Sequence, residues 1–322
     1  MHAPATSVPL IRTAHHDSAE RRALQRRVRR GELIAVRPGV LVRPDDVAAF
    51  RPEDRHVLLV RASAPLIAAP RALSHASAAA VLGLPFTAPP PDKVQVTDPR
   101  RSRPDASRFL QIHHDRAPAG SQRAPGRYDG LPATTPTVFA GTPVTSVVRT
   151  LVDVAACAEQ SVAVPMIDAA LRARTVLPDM LTEELGRVAP KAHARAQAAI
   201  AMGSAFSASP AESLARVRFR QLRTPEPIQQ FEFSRPGQHR AVVDFWFPDH
   251  GVVVEVDGRA KYEDPEMLAG RSTADAHWRE KQREDHIRSF TTVRGFVRLT
   301  WADLMDPEVV RVKLLAAGVP CG

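Results

Sequence analysis

The chain has 322 residues, 44 % of them apolar and 25 % charged, the balance of a soluble globular protein long enough for two or three domains. Forty-four Lys and Arg against 35 Asp and Glu leave a net charge of +9, which favours a polyanionic partner, although 39 of these are Arg, as a GC-rich genome alone would produce. Two distant cysteines, Cys157 and Cys321, make neither a disulfide framework nor a zinc spacing, and no basic start with an apolar stretch and no run of 18 apolar residues occurs, so no membrane or secretory role is implied and a reducing cytoplasm is expected.

Residues 18 to 42 read SAERRALQRRVRRGELIAVRPGVLV. Ser18 is a candidate N-cap, Leu24 and Val28 lie four apart on one helical face, and Gly31 is a stop signal. LIAV and VLV then flank a Pro-Gly turn as a short hairpin, so the pattern is a winged helix. Six of the ten residues from Arg21 to Arg30 are Arg, and Arg37 and Arg43 flank the wing. Arg26, Arg29, Arg30 and Arg37 are the candidate contacts to double-stranded DNA, with a solvated basic helix face as the alternative.

From Val57 to about Ala201 the pattern is mixed. VLLVRASAPLIAA suits a strand or a buried helix, and SHASAAAVLGLP a capped helix closed by Gly83 and Pro85. DKVQVTDPRR and FLQIHHDR alternate as strands, APAGSQRAPGRYDGLPATTP is turn-rich, and TSVVRTLVDVAACA and AVPMIDAALRAR are helical. His113 and His114 precede Asp115, but neighbours on a strand point to opposite faces, so one metal cannot use both. No Gly-Lys-Ser/Thr phosphate loop and no Gly-x-Ser-x-Gly elbow occurs, so a nucleotide-driven motor or serine hydrolase has no support.

SPAESLARVRFRQL starts a helix with Ser209 at N-cap, Pro210 at N1 and Glu212 at N3, a capping box that by itself accounts for Glu212. After a strand in TPEPIQQFEF comes VVDFWFPDHGVVVEVD, two strands about a turn at residues 248 to 251. Paired positions sum to 499, which sets Asp244 opposite Glu255 and Val242 opposite Asp257. Alternation puts Asp244, Trp246, Val253, Glu255 and Asp257 on one face, and Val243, Phe245, Phe247, Val252, Val254 and Val256 on the other, which is expected to be the core. Opposed carboxylates destabilise a sheet unless a cation offsets them: Mg²⁺, or protein charge from Arg240, Arg259 or Lys261. Lys261 and Lys281, two of five lysines, fall beside these acids, although Lys281 also suits an ion pair with Asp285 one helical turn on.

AVVDFWFPDHGVVVEVDGRAKY, with the Glu212 helix before it and REKQREDHIRSF and GFVRLTWADL after it, resembles PD-(D/E)XK nucleases, particularly very-short-patch-repair-like endonuclease domains, over about residues 206–318. The resemblance implies a restriction-endonuclease-like αβββαβ core in which Glu212, Asp244 and Glu255 bind Mg²⁺ or Mn²⁺ and activate water. Asp257 stands where that family has its lysine, and Lys261 would serve as a relocated one. RRGELIAVRPGVLV, ALSHASAAAVLGLP and GTPVTSVVRTLVDVA resemble the winged-helix antitoxin region of type IV abortive-infection systems over about residues 10–200. That implies DNA binding, operon repression and a toxin protein partner.

The expected class is therefore α/β in the α+β sense, with a winged helix at 10–60, a mixed α/β region at 61–205 and a nuclease-like domain at 206–318. Two functions follow: a metal-dependent DNA nuclease acting in repair or phage defence, or a DNA-binding antitoxin and regulator with a degenerate nuclease fold.

Overall fold

The computed structural model describes residues 3–114, 127–186, 190–237, 240–257 and 273–322. The chain is mixed α/β and divides into two compact units, residues 1–166 with 174–201, and residues 167–173 with 202–322. The stretches 10–60 and 61–205 of the sequence thus fall in the first unit except for residues 167–173 and 202–205. Among the described residues no helix is long and apolar enough to cross a membrane.

The first unit opens with α1 (Ala3–Ser7), β1 (Ile11–Arg12) and α2 (Ser18–Arg29), followed by β2 (Ile34–Arg37) and β3 (Val40–Val42). These strands form a sheet in the order β1-β3-β2, with Ile11 opposite Leu41 and Ile34 opposite Val42. Asp17, not Ser18, caps α2: its carboxylate accepts from the backbone N–H groups of Ala19 and Glu20 at 2.8 Å, and Glu20 reaches back to the Asp17 N–H at 3.0 Å. Three residues after Ser18 comes Arg21, which has no acceptor to close such a box. The helix stops at Gly31, whose φ of +76° costs an L side chain energy, and the Glu32 N–H returns to the Arg27 carbonyl. Leu24 is the buried residue of α2 and packs with Leu33 and Leu41, so most of the helix surface faces solvent.

VLLVRASAPLIAA folds as helix and not strand. It falls largely in α3 (Pro52–Ser63), where Val57, Leu58 and Val60 are buried. Next come β4 (Ala72–Leu73), α4 (His75–Val81), β5 (Val94–Asp98), β6 (Asp105–Ala106), β7 (Leu110–His114), β8 (Thr137–Phe139) and β9 (Thr142–Val144). They build a six-stranded sheet in the order β6-β7-β5-β4-β9-β8. Four helices follow: α5 (Val147–Cys157), α6 (Gln160–Arg172), α7 (Pro178–Leu185) and α8 (Pro190–Ala201). Alternate residues of β5 and β7, Val94, Val96, Leu110 and Ile112, meet Leu73 and Val60 in one core, as their period of two requires.

The second unit runs α9 (Pro210–Gln221), β10 (Ile228–Phe233), β11 (Ala241–Phe247), β12 (Val252–Asp257), α10 (Thr273–Arg288), β13 (Gly295–Thr300), α11 (Trp301–Met305) and α12 (Pro307–Ala316). Its sheet has the order β10-β11-β12-β13, antiparallel except for the parallel β12–β13 pair that α10 bridges. The order of elements is αβββαβ. The hairpin register is as read from the sequence: Phe245 pairs with Val254, Trp246 with Val253 and Phe247 with Val252, each summing to 499. Gly251 ends the turn at φ +66°, and a Cβ there would come within 2.5 Å of the Thr292 carbonyl oxygen, so only glycine fits.

Both faces of this sheet are covered. Phe245, Phe247, Val252, Val254 and Val256 pack with Leu214 and Phe219 of α9 and with Leu304, Val310 and Leu314 of α11 and α12. Trp246 and Val253, expected on an open face, pack with Ile287 of α10 and with Phe233 and Phe290, leaving Trp246 4 % and Val253 0 % exposed. Val243 joins this second cluster too, so strict alternation along β11 fails at Asp244.

Candidate functional site

The break in alternation is where the acids gather. The β10–β11 register passes from Gln229–Phe245 to Phe231–Val243 without a Gln230–Asp244 pair, and the β11–β12 ladder stops at Phe245–Val254. Freed from both ladders, Asp244 turns its carboxylate to the Val256 N–H at 2.7 Å. Glu212, at the start of α9, is 5 % exposed. Its Oε2 accepts from the Ala208 N–H at 2.8 Å and from Gln230 Nε2 at 2.9 Å, and its Oε1 accepts from Ser209 Oγ at 2.9 Å. Only half of the predicted capping box forms: Ser209 Oγ accepts from the Glu212 N–H, while the Glu212 carboxylate takes the Ala208 N–H in place of that of Ser209. Burial, and next the opposing backbone bond and the nearby charge of Asp244, act on Glu212, and the net effect raises its pKa above the usual carboxylate value. Glu212 and Asp244 are thus close enough for the charge of one to act on the other.

Glu255 and Asp257 have a different setting. Their side chains are 13 % and 15 % exposed, so these acids are substantially buried and not on an open face. Arg283, from the last turns of α10, places a guanidinium nitrogen 2.8 Å from Glu255 Oε1 and also donates to the Val242 carbonyl. Arg298 on β13 lies 3.9 Å from Asp257 and 3.4 Å from Glu284. The cations that offset the acids thus include two arginines not anticipated from the sequence. Arg240 pairs instead with Glu232 at 3.5 Å, and Arg259 and Lys261 lie outside the described residues. Lys281 is exposed, and among the described residues no ion pair joins it to Asp285. Nor does any group of three His, Cys, Asp or Glu side chains among the described residues converge as a metal site; Glu212 with Asp244 is the acid pair, and Glu255 stands with Arg283. Mg²⁺ commonly takes only one or two protein carboxylates, with waters and phosphate oxygens filling its octahedron, so the Glu212–Asp244 pair fits that ion in donor chemistry.

In the first unit, α2 is the candidate nucleic-acid interface. Arg22, Arg26 and Arg29 are exposed, and none has a carboxylate partner among the described residues. Spaced four and three apart, they occupy an arc of about 60° along about 10 Å of helix. Arg30 is instead held by Glu32 at 2.6 Å, with Arg27 on the same carboxylate at 3.1 Å. Arg37 is turned inward: its Nε donates to the Ala62 carbonyl at 2.9 Å, where Arg12 also donates, at the C-terminal end of α3. Burial and the neighbouring Arg12 lower the Arg37 pKa. Arg22 joins Arg26 and Arg29 through helical spacing alone, which the sequence contains. A groove of about 490 Å³ beside the stripe is lined by Arg21, Gln25, Arg29, Thr13 and Gly39. Of the paired histidines, His113 stacks on His75 with ring centroids 3.7 Å apart, and Asp115 lies outside the described residues.

No family model matches the chain, and no curated protein matches it. Among solved structures it is similar to the crystal structure of RV2827C protein from Mycobacterium tuberculosis, with 16 % identity over 73 % of this chain and 86 % of that one. The TM-score is 0.36, and nothing below rests on this likeness.

Proposed function

We propose that this protein binds double-stranded DNA through α2 and the β2–β3 wing and hydrolyses phosphodiester bonds with Mg²⁺ or Mn²⁺ in its second unit. The observation that carries the hydrolytic reading is that Glu212, bonded to Gln230 on the strand beside Asp244, lies near enough to feel the Asp244 charge, where β11 leaves both of its ladders inside an αβββαβ sheet. A bound divalent ion would polarise the phosphoryl oxygen and lower the pKa of the attacking water. Asp244 and Glu212 would hold it. Glu255, one strand over, would orient water or substrate once its bond to Arg283 is exchanged, and Lys261 is the residue this reading assigns to proton transfer. Asp257, with Arg298 as its neighbour, keeps the electrostatic balance of β12. A cytoplasmic setting, in DNA repair or phage defence, belongs to the same proposal.

A second reading has its own support. Arginines on Glu255 and Asp257 satisfy a site without any metal, which favours a DNA-binding regulator or antitoxin, with a toxin partner, on a degenerate nuclease fold. Plasmid nicking by the full chain with Mg²⁺ or Mn²⁺ separates the two. Asp244→Ala and Glu255→Ala are expected to abolish cutting while duplex affinity stays unchanged. Cutting that persists in both variants refutes the nuclease site, and a wild type that neither cuts nor binds Mn²⁺ by calorimetry is the regulator.

A further inference from the structure

A cavity of about 310 Å³ in the second unit has aromatic walls: Phe231 and Phe233 of β10, Trp246 of β11, and Phe290 two residues past α10. The rings hold one another. Phe233 meets Trp246 edge-on with centroids 5.1 Å apart and Phe290 at 5.0 Å, and Phe231 lies 6.0 Å from Trp246 with the planes 26° apart. Phe233 and Trp246 are 4 % exposed, whereas Phe231 and Phe290 are only half-buried. Glu232, Ser234 and Thr292 line the same cavity and are exposed, so its rim is polar. A cation stands beside it: the Arg235 guanidinium lies over the Phe290 ring, 4.2 Å from its centroid, and donates to the Ser289 Oγ at 3.1 Å and the Ser289 carbonyl at 2.7 Å. Both acceptors are neutral, and no carboxylate among the described residues pairs with Arg235. Glu232 has its own counter-charge, Arg240 at 3.5 Å.

A packed core has no such opening, because rings that border a void forfeit contacts on that side. Aromatic faces beside a guanidinium suit a nucleobase joined to a phosphate: the base stacks on the ring and the phosphate accepts charge-assisted hydrogen bonds. Two of the five guanidinium N–H groups of Arg235 are used on Ser289, which leaves three for an anion. In a duplex each base is covered on both faces by its neighbours, so only an unstacked base can enter. We infer that this cavity binds one base of single-stranded DNA, with Phe231 as its stacking surface and Arg235 on the adjoining phosphate. Trp246 stands two residues along β11 from Asp244, about 7 Å of strand. An unpaired stretch of DNA is thereby the substrate class of the hydrolysis proposed above; that step rests on the nuclease reading, and the binding of the base does not.

The test uses the full chain in EDTA, so that no strand is cut, with Trp278→Phe and Trp301→Phe leaving Trp246 as the remaining tryptophan. Titration with a short oligo(dT) is expected to quench Trp246. In that background Phe231→Ala and Phe231→Leu are expected to weaken the strand about 5- to 150-fold and Phe231→Tyr to retain it, since Leu keeps the apolar volume and only Tyr keeps the ring face. Arg235→Gln should flatten the slope of log K against log salt by about 0.7. Anisotropy of the labelled strand gives the same ranking in a chain that keeps all three tryptophans. Equal quenching by an abasic strand or by a duplex overturns the stacked base, as does unchanged affinity in both the Ala and the Leu variants. Thymidine monophosphate binding as tightly as the strand overturns DNA as the ligand and makes the cavity a free-nucleotide site. A chain that binds the strand as expected and cuts nothing with Mn²⁺ refutes the nuclease reading and leaves the base site standing.

Discussion

Replacing Arg22, Arg26 and Arg29 together by Gln removes three positive charges from one exposed strip of α2 without touching Leu24, the residue that seats the helix. Duplex DNA carries one negative charge per about 1.7 Å of axis, so a strip about 10 Å long has several phosphates in reach. Each neutralised phosphate contributes about −0.9 to the slope of log K against log salt, so the triple variant is expected to flatten that slope by about 2.7. Between about 50 and 200 mM KCl this is a factor of about 40: the wild type should lose that much more affinity than the variant over the same range. Fluorescence anisotropy with a labelled duplex, titrated at several salt concentrations, measures it. Arg30→Gln is the internal control, because Arg30 already shares Glu32 with Arg27 and releases less counterion on binding. Arg37→Gln is a second control, since its guanidinium is spent on the Ala62 carbonyl. An unchanged slope in the triple variant, or an equal change per residue at Arg30, would refute the stripe as the phosphate-contacting surface.

Three further outcomes follow from other parts of the chain. His56 is 4 % exposed and bonded to Ser77 Oγ at 2.8 Å, and burial pushes its pKa from 6.5 down to about 4, so the folded chain resists the proton that the unfolded chain accepts. Stability is therefore complete above pH 6.5 and falls as pH drops toward 4, by about 3 kcal/mol, a loss that denaturant titration should find absent in His56→Gln. Asp168 is fully buried, and burial raises its pKa although Arg216 lies 2.8 Å away; Arg216→Ala should cost about 3–5 kcal/mol in urea unfolding, because a buried carboxylate loses its counter-charge. Arg283→Gln should cost about 1 kcal/mol, since that pair is partly exposed, and a double-mutant cycle with Glu255→Gln that shows no coupling would remove Arg283 as the cation of Glu255.

The secondary elements around the site were legible because their signals are local. Ser209, Pro210 and Glu212 announce a helix start within four residues, and a turn closed by a glycine that no side chain can replace sets the hairpin register. The cap of α2 moved by one residue for an equally local reason, the reach of Glu20, that the sequence contained. The faces of β11 were not legible: alternation was extended through Asp244, where the unpaired Gln230 interrupts it. Nor could short-range spacing reveal Arg283, which meets Glu255 across 28 positions of chain.

What the sequence by itself determined is the helix start at Ser209, the hairpin register from Phe245–Val254 to Phe247–Val252, and a basic helix followed by a short antiparallel hairpin in the first unit. These depend on caps, turns and periods of two and 3.6, which act over a few residues. Only the tertiary structure decided which charges are spent and which remain: Arg37 on α3, Arg283 on Glu255, and Glu212 on Gln230. The physical reason is that the fate of a charge depends on burial and on partners distant in sequence, and neither is written in the spacing of neighbours.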